Sequence, residues 1–293
     1  MIKIKTLLKK SSLFVRVIRK IKLLVSLSYY KAPKMLEGEK DVFEKIYPAC
    51  SIIFDVGARY DIDYIEISQG NNIQYHLFEI NPRFFNKLVK NTCDYRNKED
   101  IILNNFGIAE RDGSSFYYQD SQSILRDTTA VQNSTARSTK RLPLRSLESY
   151  CNEKGIDKIN FLKTDIEEYD FFALQGLGSR IRTVDFIQFE LGLGAPYLDR
   201  RVEARDYFSL LGDNFNLYLV KDEKNPIWYS GFTSANLIKV GDQFLQSTLS
   251  AGTFGIGYNV LAANKNIDIN TLGLVIESFN QESYERVIQS FIK

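Results

Sequence analysis

Acidic and amide side chains stand at the ends of five successive apolar runs of the chain. They are Asp55, Glu79, Asn104, Asn105, Asp165, Glu167 and Glu190. In an open parallel sheet, ligands bind at the carboxyl ends of the strands, near the point where the strand order reverses. Each residue taken singly has a simpler interpretation, such as a cap for the following turn or helix. The five ends taken together predict one rim that binds a ligand or does chemistry.

The elements that must position this rim alternate along the chain. Short apolar runs at 51–57, 73–80, 101–106, 159–166 and 184–192 are typical of buried strands, and helical patterns lie between most of them. Asn81 and Pro82 predict a helix start, and Ser146 and Gly155 predict the two ends of another helix. Such alternation indicates an α/β fold with a mostly parallel sheet.

The last third of the chain has a different pattern. Apolar runs at 215–220, 236–240 and 257–265 follow one another without obvious helices between them, which predicts antiparallel strands at one edge of the sheet. Residues 107–118 predict a β-excursion around the Asp112-Gly113 turn signal. Residues 119–140 are rich in Ser, Thr, Gln and Asn, and we expect a mobile loop there that covers a substrate or is simply disordered.

The net charge of +2 is the sum of two opposed segments. Residues 1–34 hold ten Lys and Arg and no Asp or Glu, which leaves −8 on residues 35–293. An acidic body offers no broad basic surface to a phosphate backbone, so we expect no nucleic-acid partner. Three widely spaced cysteines, Cys50, Cys93 and Cys151, indicate a reducing compartment and a cytoplasmic protein.

The basic leader has the pattern of an amphipathic helix. Its apolar residues Phe14, Val17, Ile18, Ile21, Leu24 and Val25 recur at steps that keep them on or near one helix face. Four charges between Arg16 and Lys22 interrupt the apolar runs, so the leader neither spans a membrane nor resembles a secretory signal. It either lies peripherally on an anionic membrane at its inner face or packs on the main domain with its basic side in water. We divide the chain into a leader and linker at 1–40 and one domain at 41–293.

The spacing of the first two acidic strand ends indicates a nucleoside. Glu79 follows Asp55 by 24 residues, close to the distance at which an acidic residue after a second strand binds ribose hydroxyls. The loop after the first strand has Gly57 as its one glycine, so the G-x-G-x-x-G cradle for a pyrophosphate is missing. Adenosine without phosphate fits better, and S-adenosylmethionine is the common cofactor of that kind.

These residues bring out a resemblance to a known family. The segments IIFDVGARYDIDYIEI, LFEINPRFFNKL, GIAERDGSSFYY and LPLRSLESYCNEKGIDKINFLKTDIEEYDFFALQG resemble the FkbM-type S-adenosylmethionine-dependent methyltransferases over about 51–192. The resemblance implies a class I, Rossmann-like methyltransferase fold with a seven-stranded, mostly parallel sheet and an antiparallel edge strand. It also implies O-methylation of sugar or polyketide hydroxyls.

The resemblance assigns roles to individual residues. Asp55 and Gly57 would shape the pocket for the methionine part of the cofactor, Glu79 would hold the ribose, and Asn105 and Phe106 would flank the adenine. Asp165 and Glu167 would lie beside the transferring methyl group. The family commonly has Asn where Arg59 stands, and Gly at Asp61 and Glu168. Arg59 would then bind the cofactor's carboxylate, and Asp61 would cap its helix.

His76 is the only histidine, so the base that removes a hydroxyl proton is expected to be a carboxylate. Asp165 or Glu190 would accept the proton, and Glu167 would orient the acceptor. Oxygen ligands also suit Mg²⁺ or Mn²⁺, although we expect no metal. The alternative function is a non-catalytic module that binds a cofactor or a glycan, because Arg59 and Asp61 depart from the family pattern. The sequence leaves the acceptor, a glycan or other small molecule, and the oligomeric state open.

The membrane interpretation of the leader can be tested directly. Deletion of residues 1–34 removes ten positive charges, so we expect co-sedimentation with anionic liposomes to disappear. Neutral liposomes serve as the control. Equal pelleting of the two forms with anionic liposomes would show that the leader does not bind the membrane.

Overall fold

A computed structural model of the chain describes residues 35–68, 72–95, 98–118, 123–125, 139–166, 169–193, 202–222, 235–251 and 256–285. The leader, residues 1–34, lies outside this part, as does Glu167. Of residues 119–140, only the segments 123–125 and 139–140 are described, and both are strands. The expectation of an irregular loop is therefore wrong at these two segments.

The described part contains thirteen strands and seven α-helices. The strands are β1 Ile52–Val56, β2 Gln74–Phe78, β3 Ile101–Asn104, β4 Gly107–Ile108, β5 Gly113–Tyr118, β6 Ser123–Leu125, β7 Thr139–Arg145, β8 Ile159–Thr164, β9 Val184–Leu193, β10 Phe215–Val220, β11 Leu237–Val240, β12 Ile256–Asn264 and β13 Ile276–Ser278. The helices are α1 Glu37–Ile46, α2 Asp63–Ile67, α3 Pro82–Thr92, α4 Leu147–Lys154, α5 Asp170–Gln175, α6 Ala204–Leu211 and α7 Asp242–Ala251.

The main sheet has the order β13-β11-β10-β12-β9-β8-β1-β2-β3. Strands β3, β2, β1, β8 and β9 pair in parallel. The chain fills the sheet outward from β1 to β3 and then returns to β8 on the other side of β1. This reversal places the topological switch point at the carboxyl ends of β1 and β8. The predicted α/β fold and its five parallel strands are confirmed.

The antiparallel edge is also present, with more strands than expected. Strand β12 pairs antiparallel with both β9 and β10, and β10 pairs antiparallel with β11. Within the described residues the sheet has nine strands rather than seven, because β11 and β13 extend this edge. Helix α7 between β11 and β12 is not predicted by the sequence pattern.

Helices cover both faces of the parallel strands. On one face, Phe43 of α1 packs against Phe161 of β8 and Tyr64 of α2, with ring centroids 5.1 and 4.6 Å apart. On the other face, Tyr150 of α4 packs against Phe54 and Phe78. Because side chains alternate along a strand, apolar residues on successive positions are buried on opposite faces.

The predicted helix ends are confirmed where a polar side chain caps them. The Asn81 side chain accepts a hydrogen bond from the backbone N–H of Arg83, and Pro82 is the first helical residue of α3. The Ser146 side chain caps α4, and Gly155 ends it in the left-handed conformation. A second sheet, β4-β7-β5-β6, contains the predicted excursion at 107–118. Among the described residues, no helix is long and apolar enough to cross a membrane.

Candidate active site

The loop after β1 lies directly on the segment that follows β8. Gly57 has φ +89°, and a Cβ placed on it would lie 2.2 Å from the carbonyl oxygen of Asp165. The backbone N–H of Asp165 donates to the carbonyl of Val56, and that of Gly57 donates to Phe78. Only glycine combines this positive φ with such a close approach. The contact joins the carboxyl ends of β1, β2 and β8 into one surface.

Glu79 is fixed by the backbone of two loops. Its carboxylate accepts hydrogen bonds from the backbone N–H groups of Arg59, at 2.9 Å, and Asn81, at 2.6 Å. Arg59 adopts φ 55°, a left-handed conformation that non-glycine residues other than Asn and Asp seldom adopt. These two bonds orient the carboxylate while leaving lone pairs on both oxygens for a ligand.

Three charged residues meet where β1 and β8 end. Asp55 pairs in register with Lys163, and the Lys163 Nζ lies 3.0 Å from the Asp165 Oδ2. Asp55 is buried, whereas the side chain of Asp165 is 47 % exposed. The Asp165 carboxylate is therefore exposed to solvent at the switch point, and it is also paired with Lys163 at the end of β8.

Polar groups of two helices and of β9 surround the same lysine. The Glu39 carboxylate of α1 accepts hydrogen bonds from the Gln188 side chain, at 2.7 Å, and from the backbone N–H of Leu36. Lys163 lies 5.9 Å from the ring centroid of Tyr64. Glu39, Gln188 and Tyr64 are all buried. The site thus extends beneath α1 and α2 as a buried polar cluster.

Burial sets the protonation of the acids in this cluster. It raises the pKa of Asp55 to about 7, a shift that Lys163 reduces and Asp165 increases. It also raises the pKa of Glu79 to about 7, against the two backbone hydrogen bonds that favour the anion. The pKa of Asp61 is raised to about 6 by burial and by Asp63. A cationic ligand would lower these pKa values by favouring the charged carboxylates.

Glu190 lies within β9 rather than at its end, because the strand continues to Leu193. It pairs in register with Asn259 of β12, and its Oε1 lies over Gly257, where a Cβ would come within 2.4 Å. Asp170 at the start of α5 is fully buried and accepts a hydrogen bond from the backbone N–H of Ile166. Burial raises the pKa of Asp170 well above its ordinary value, and the charges of Asp165 and Glu190 raise it further.

The amide residues after β3 fix the neighbouring loop. The Asn105 side chain donates to the backbone carbonyl of Glu79 at 2.7 Å, and Asn104 donates to the carbonyl of Leu77. The ring of Phe106 packs against Phe78 and Tyr150. Asn105 and Phe106 are therefore next to Glu79, as a role beside an adenine would require.

His76 is placed away from the carboxylate cluster. It is buried on the opposite face of the sheet, with its two ring nitrogens 2.7 Å from the Tyr150 hydroxyl and 3.1 Å from the Gln74 side chain. Burial lowers its pKa to about 4, so the ring is neutral at pH 7. Within the described ranges, no group of three His, Cys, Asp or Glu side chains is arranged to hold a metal ion.

The structure brings together most of the residues that the sequence pattern selects. Asp55, Gly57, Arg59, Glu79 and Asp165 meet at the switch point, whereas Glu167 lies outside the described residues. Asp61 does not cap its helix, because α2 begins at Asp63 with Ile62 as the N-cap. The residues not selected are Lys163, Glu39, Gln188, Tyr64 and Asp170. A lysine that alternates with Ile159 and Phe161 in the run INFLKT is the signal that could have identified the first of them.

A comparison with protein families decides the class of this site. Residues 55–215, more than half of the chain, match the model of the methyltransferase FkbM domain. The chain belongs to the FkbM methyltransferase family. It therefore has the class I methyltransferase fold, and its cofactor is S-adenosylmethionine. No curated protein matches the chain at significant sequence similarity.

Several solved methyltransferases resemble this FkbM methyltransferase at low identity. TrmK of M. capricolum, in complex with S-adenosylhomocysteine, has 10% identity and a TM-score of 0.39, with 82% of this chain and 76% of that chain covered. Precorrin-6y C5,15-methyltransferase of Geobacter metallireducens GS-15 has 10% identity and a TM-score of 0.35, with 80% and 95% covered. Geranyl diphosphate methyltransferase, with geranyl diphosphate and sinefungin, has 7% identity and a TM-score of 0.40, with 78% and 77% covered.

The residues at the switch point fit the chemistry of this cofactor. Gly57 has no side chain, so the loop after β1 can lie directly against the backbone of Asp165 and join the carboxyl ends of β1 and β8 in one surface. S-adenosylmethionine carries positive charge on its sulfonium and amino groups, which complements Asp55 and its neighbouring carboxylates. Glu79 retains acceptor capacity for ribose hydroxyls. The fit thus rests on the charge of Asp55 and on the acceptor capacity of Glu79, at strand ends that the Gly57 contact joins.

Gly57→Ala tests the close approach of the loop after β1 to the backbone of Asp165. A Cβ at φ +89° and 2.2 Å from the Asp165 carbonyl forces the two loops apart, so we expect a loss of about 2–4 kcal/mol in stability and of measurable cofactor binding. Urea unfolding and calorimetry measure the two effects. Gly113→Ala is the matched control, because a Cβ there has no atom within 4 Å. Wild-type binding by Gly57→Ala would contradict the close approach.

Asp55→Asn tests how far the buried carboxylate of Asp55 lowers the stability of the fold. The folded-state pKa is about 7 and the ordinary value 3.8, so Asp55 lowers stability progressively as the pH rises from about 4 to about 7. One pKa unit corresponds to about 1.4 kcal/mol, so in the absence of cofactor the variant should be more stable than wild type by on the order of 1–3 kcal/mol at pH 8. It should also bind S-adenosylmethionine more weakly. Urea unfolding at pH 4.5 and 8, with the exposed Asp213→Asn as control, measures this. A variant less stable than wild type at pH 8 contradicts the assignment.

Proposed function

We propose that this FkbM methyltransferase methylates a hydroxyl oxygen of a sugar, a polysaccharide or a glycolipid. The supporting observation is the half-exposed carboxylate of Asp165 at the switch point, beside the loop that follows β1. The one histidine of the chain is buried elsewhere, so the group available to remove a hydroxyl proton is a carboxylate. A carboxylate base suits a hydroxyl acceptor, which must lose its proton as the new C–O bond forms.

We propose the following roles within the site. S-adenosylmethionine supplies an electrophilic methyl group on a sulfonium when it is bound. Asp55 and Gly57 form the pocket for its methionine part, Arg59 binds its carboxylate, and Glu79 binds the ribose, with Asn105 and Phe106 beside the adenine. Asp165 accepts the acceptor's proton while the hydroxyl oxygen is aligned with the methyl group. Glu190 is the alternative acceptor of that proton, and Glu167 orients the methyl acceptor.

The acceptor class is proposed from the leader. Ten positive charges in residues 1–34 suit an anionic membrane surface, where the enzyme would be held peripherally at the inner face. A lipid-carried glycan would meet the active site at that surface. Small-molecule sugars in the cytoplasm are the alternative acceptors, and fractionation of candidate acceptors separates the two.

Methyl transfer tests the proposal. Purified full-length protein with methyl-labelled S-adenosylmethionine should label a glycan or glycolipid fraction, and the label should survive mild alkali, as a methyl ether does and a methyl ester does not. Asp165→Asn should lower transfer at least about 100-fold while the variant still binds the cofactor. Asp157→Asn, an exposed position just before the other end of β8, is the control.

Two results would contradict this function. Wild-type protein that binds the cofactor but labels no fraction supports the alternative of a non-catalytic binding module. Asp165→Asn with a rate near that of wild type shows that Asp165 is not the base.

A further inference from the structure

Lys163 is the cation at the centre of the buried polar cluster. It projects from β8 onto the sheet face that α1 and α2 cover, where it pairs with Asp165 and lies in register with Asp55 and Gln188. Its own side chain is 19% exposed. A lysine held this far from water is costly unless anions surround it.

The groups that face Lys163 come from every element packed around it. They are Asp55 of β1, Asp165 after β8, Gln188 of β9, Glu39 of α1, and Tyr64 of α2. Burial disfavours the ammonium, yet the Tyr64 hydroxyl and the carboxylates of Asp165, Asp55 and Glu39 raise the pKa of Lys163 well above its ordinary value. The lysine is therefore charged at every pH at which the enzyme would work.

A fixed positive charge acts in turn on the acids. Lys163 lowers the pKa of Asp55 and that of Glu39 from the values that burial alone would give. Without it, both acids would be neutral over a wider pH range, and Asp165 would lose the partner that orients its carboxylate. A purely structural ion pair would have no such effect on ligand binding.

We propose that Lys163 is a positioning residue that keeps the carboxylates of the cofactor pocket charged and holds the Asp165 carboxylate toward the acceptor. The proposal rests on the proposed function, since it presumes that a cationic cofactor binds beside Asp55. Lys163 acts through Asp55 and Asp165, the residues proposed to contact the cofactor and the acceptor. It sets the pH above which the pocket can bind a cation.

The chain offers a matched ion pair at the opposite end of the same strands. Lys158 Nζ lies 2.9 Å from the Asp185 Oδ1, just before β8 and within β9. This pair lies at the amino ends of the strands, away from the switch point. Lys158→Met therefore removes a lysine and an ion pair from the same region of the sheet without touching the pocket.

Calorimetric titration of S-adenosylmethionine into full-length protein between pH 6 and 9 tests the proposal. In Lys163→Met the pKa of Asp55 rises further, so we expect affinity about tenfold below wild type at pH 6.5 and within about twofold of it at pH 9. Lys163→Arg keeps the charge and should restore most of the affinity at pH 6.5. Lys158→Met should follow the wild-type pH profile throughout. If the Met variant fails to fold, Lys163→Gln is used in its place.

The outcomes separate this inference from the function it rests on. A Lys163→Met profile parallel to that of wild type at every pH, whether at equal or uniformly lower affinity, overturns the positioning role and leaves the methyltransferase function intact. The same loss in Lys163→Arg as in Lys163→Met also overturns it, because the charge would then be irrelevant. Wild-type protein that binds no S-adenosylmethionine at any pH overturns both.

Discussion

The close approach of the β1 loop to the segment after β8 is the constraint on which the rest of the site depends. Gly57 lies on the carbonyl of Asp165, and two backbone hydrogen bonds, from Asp165 to Val56 and from Gly57 to Phe78, hold three strand ends in one surface. The positive φ of Arg59 follows from the same geometry, since the chain must turn back so that its N–H reaches Glu79. Asn, which the family commonly has at this position, adopts such a conformation more easily than Arg does. The loop thus adopts at Arg59 a backbone conformation that suits Asn better than Arg.

Charge works against stability in this pocket. Asp55 and Glu79 are buried with pKa values of about 7, and the burial is partly offset by Lys163 at Asp55 and by Arg59 at Glu79. A protein selected for stability alone would place apolar or amide side chains here. Pockets that bind charged ligands commonly retain such destabilising groups, because the ligand completes the electrostatic balance.

The sequence predicts those parts of the fold that local chemistry determines. The parallel strands are recognisable as apolar runs, and the ends of α3 and α4 as a polar cap, a proline and a glycine. Helix α1 is hidden because it follows the basic leader and because its buried side includes Glu39, which the pattern of apolar residues does not mark. Strands β6 and β13 are three-residue strands at sheet edges, too short to show an alternating pattern in the sequence.

The same distinction holds within the site. Acidic strand ends are visible in the sequence, because the rule for parallel sheets selects them by position. Gln188 and Tyr64 are not visible, since their contacts with Glu39 and Lys163 join elements that are far apart in the sequence and meet only in the folded sheet. Glu190 lies inside the predicted run 184–192 rather than at its end, and β9 pairs with β12 on both sides of it, as far as Leu193.

The position of β12 has a consequence for synthesis on the ribosome. The strands that bear the cofactor pocket, β1, β2, β3 and β8, end by Thr164 and β9 ends by Leu193, whereas the partner that closes the free edge of β9 begins at Ile256. At roughly 5–20 residues per second, that edge emerges several seconds before β12 does. An unpaired strand edge is a template for association with other chains. The nascent chain is thus most vulnerable to aggregation after its pocket strands have emerged and before its last third has been made.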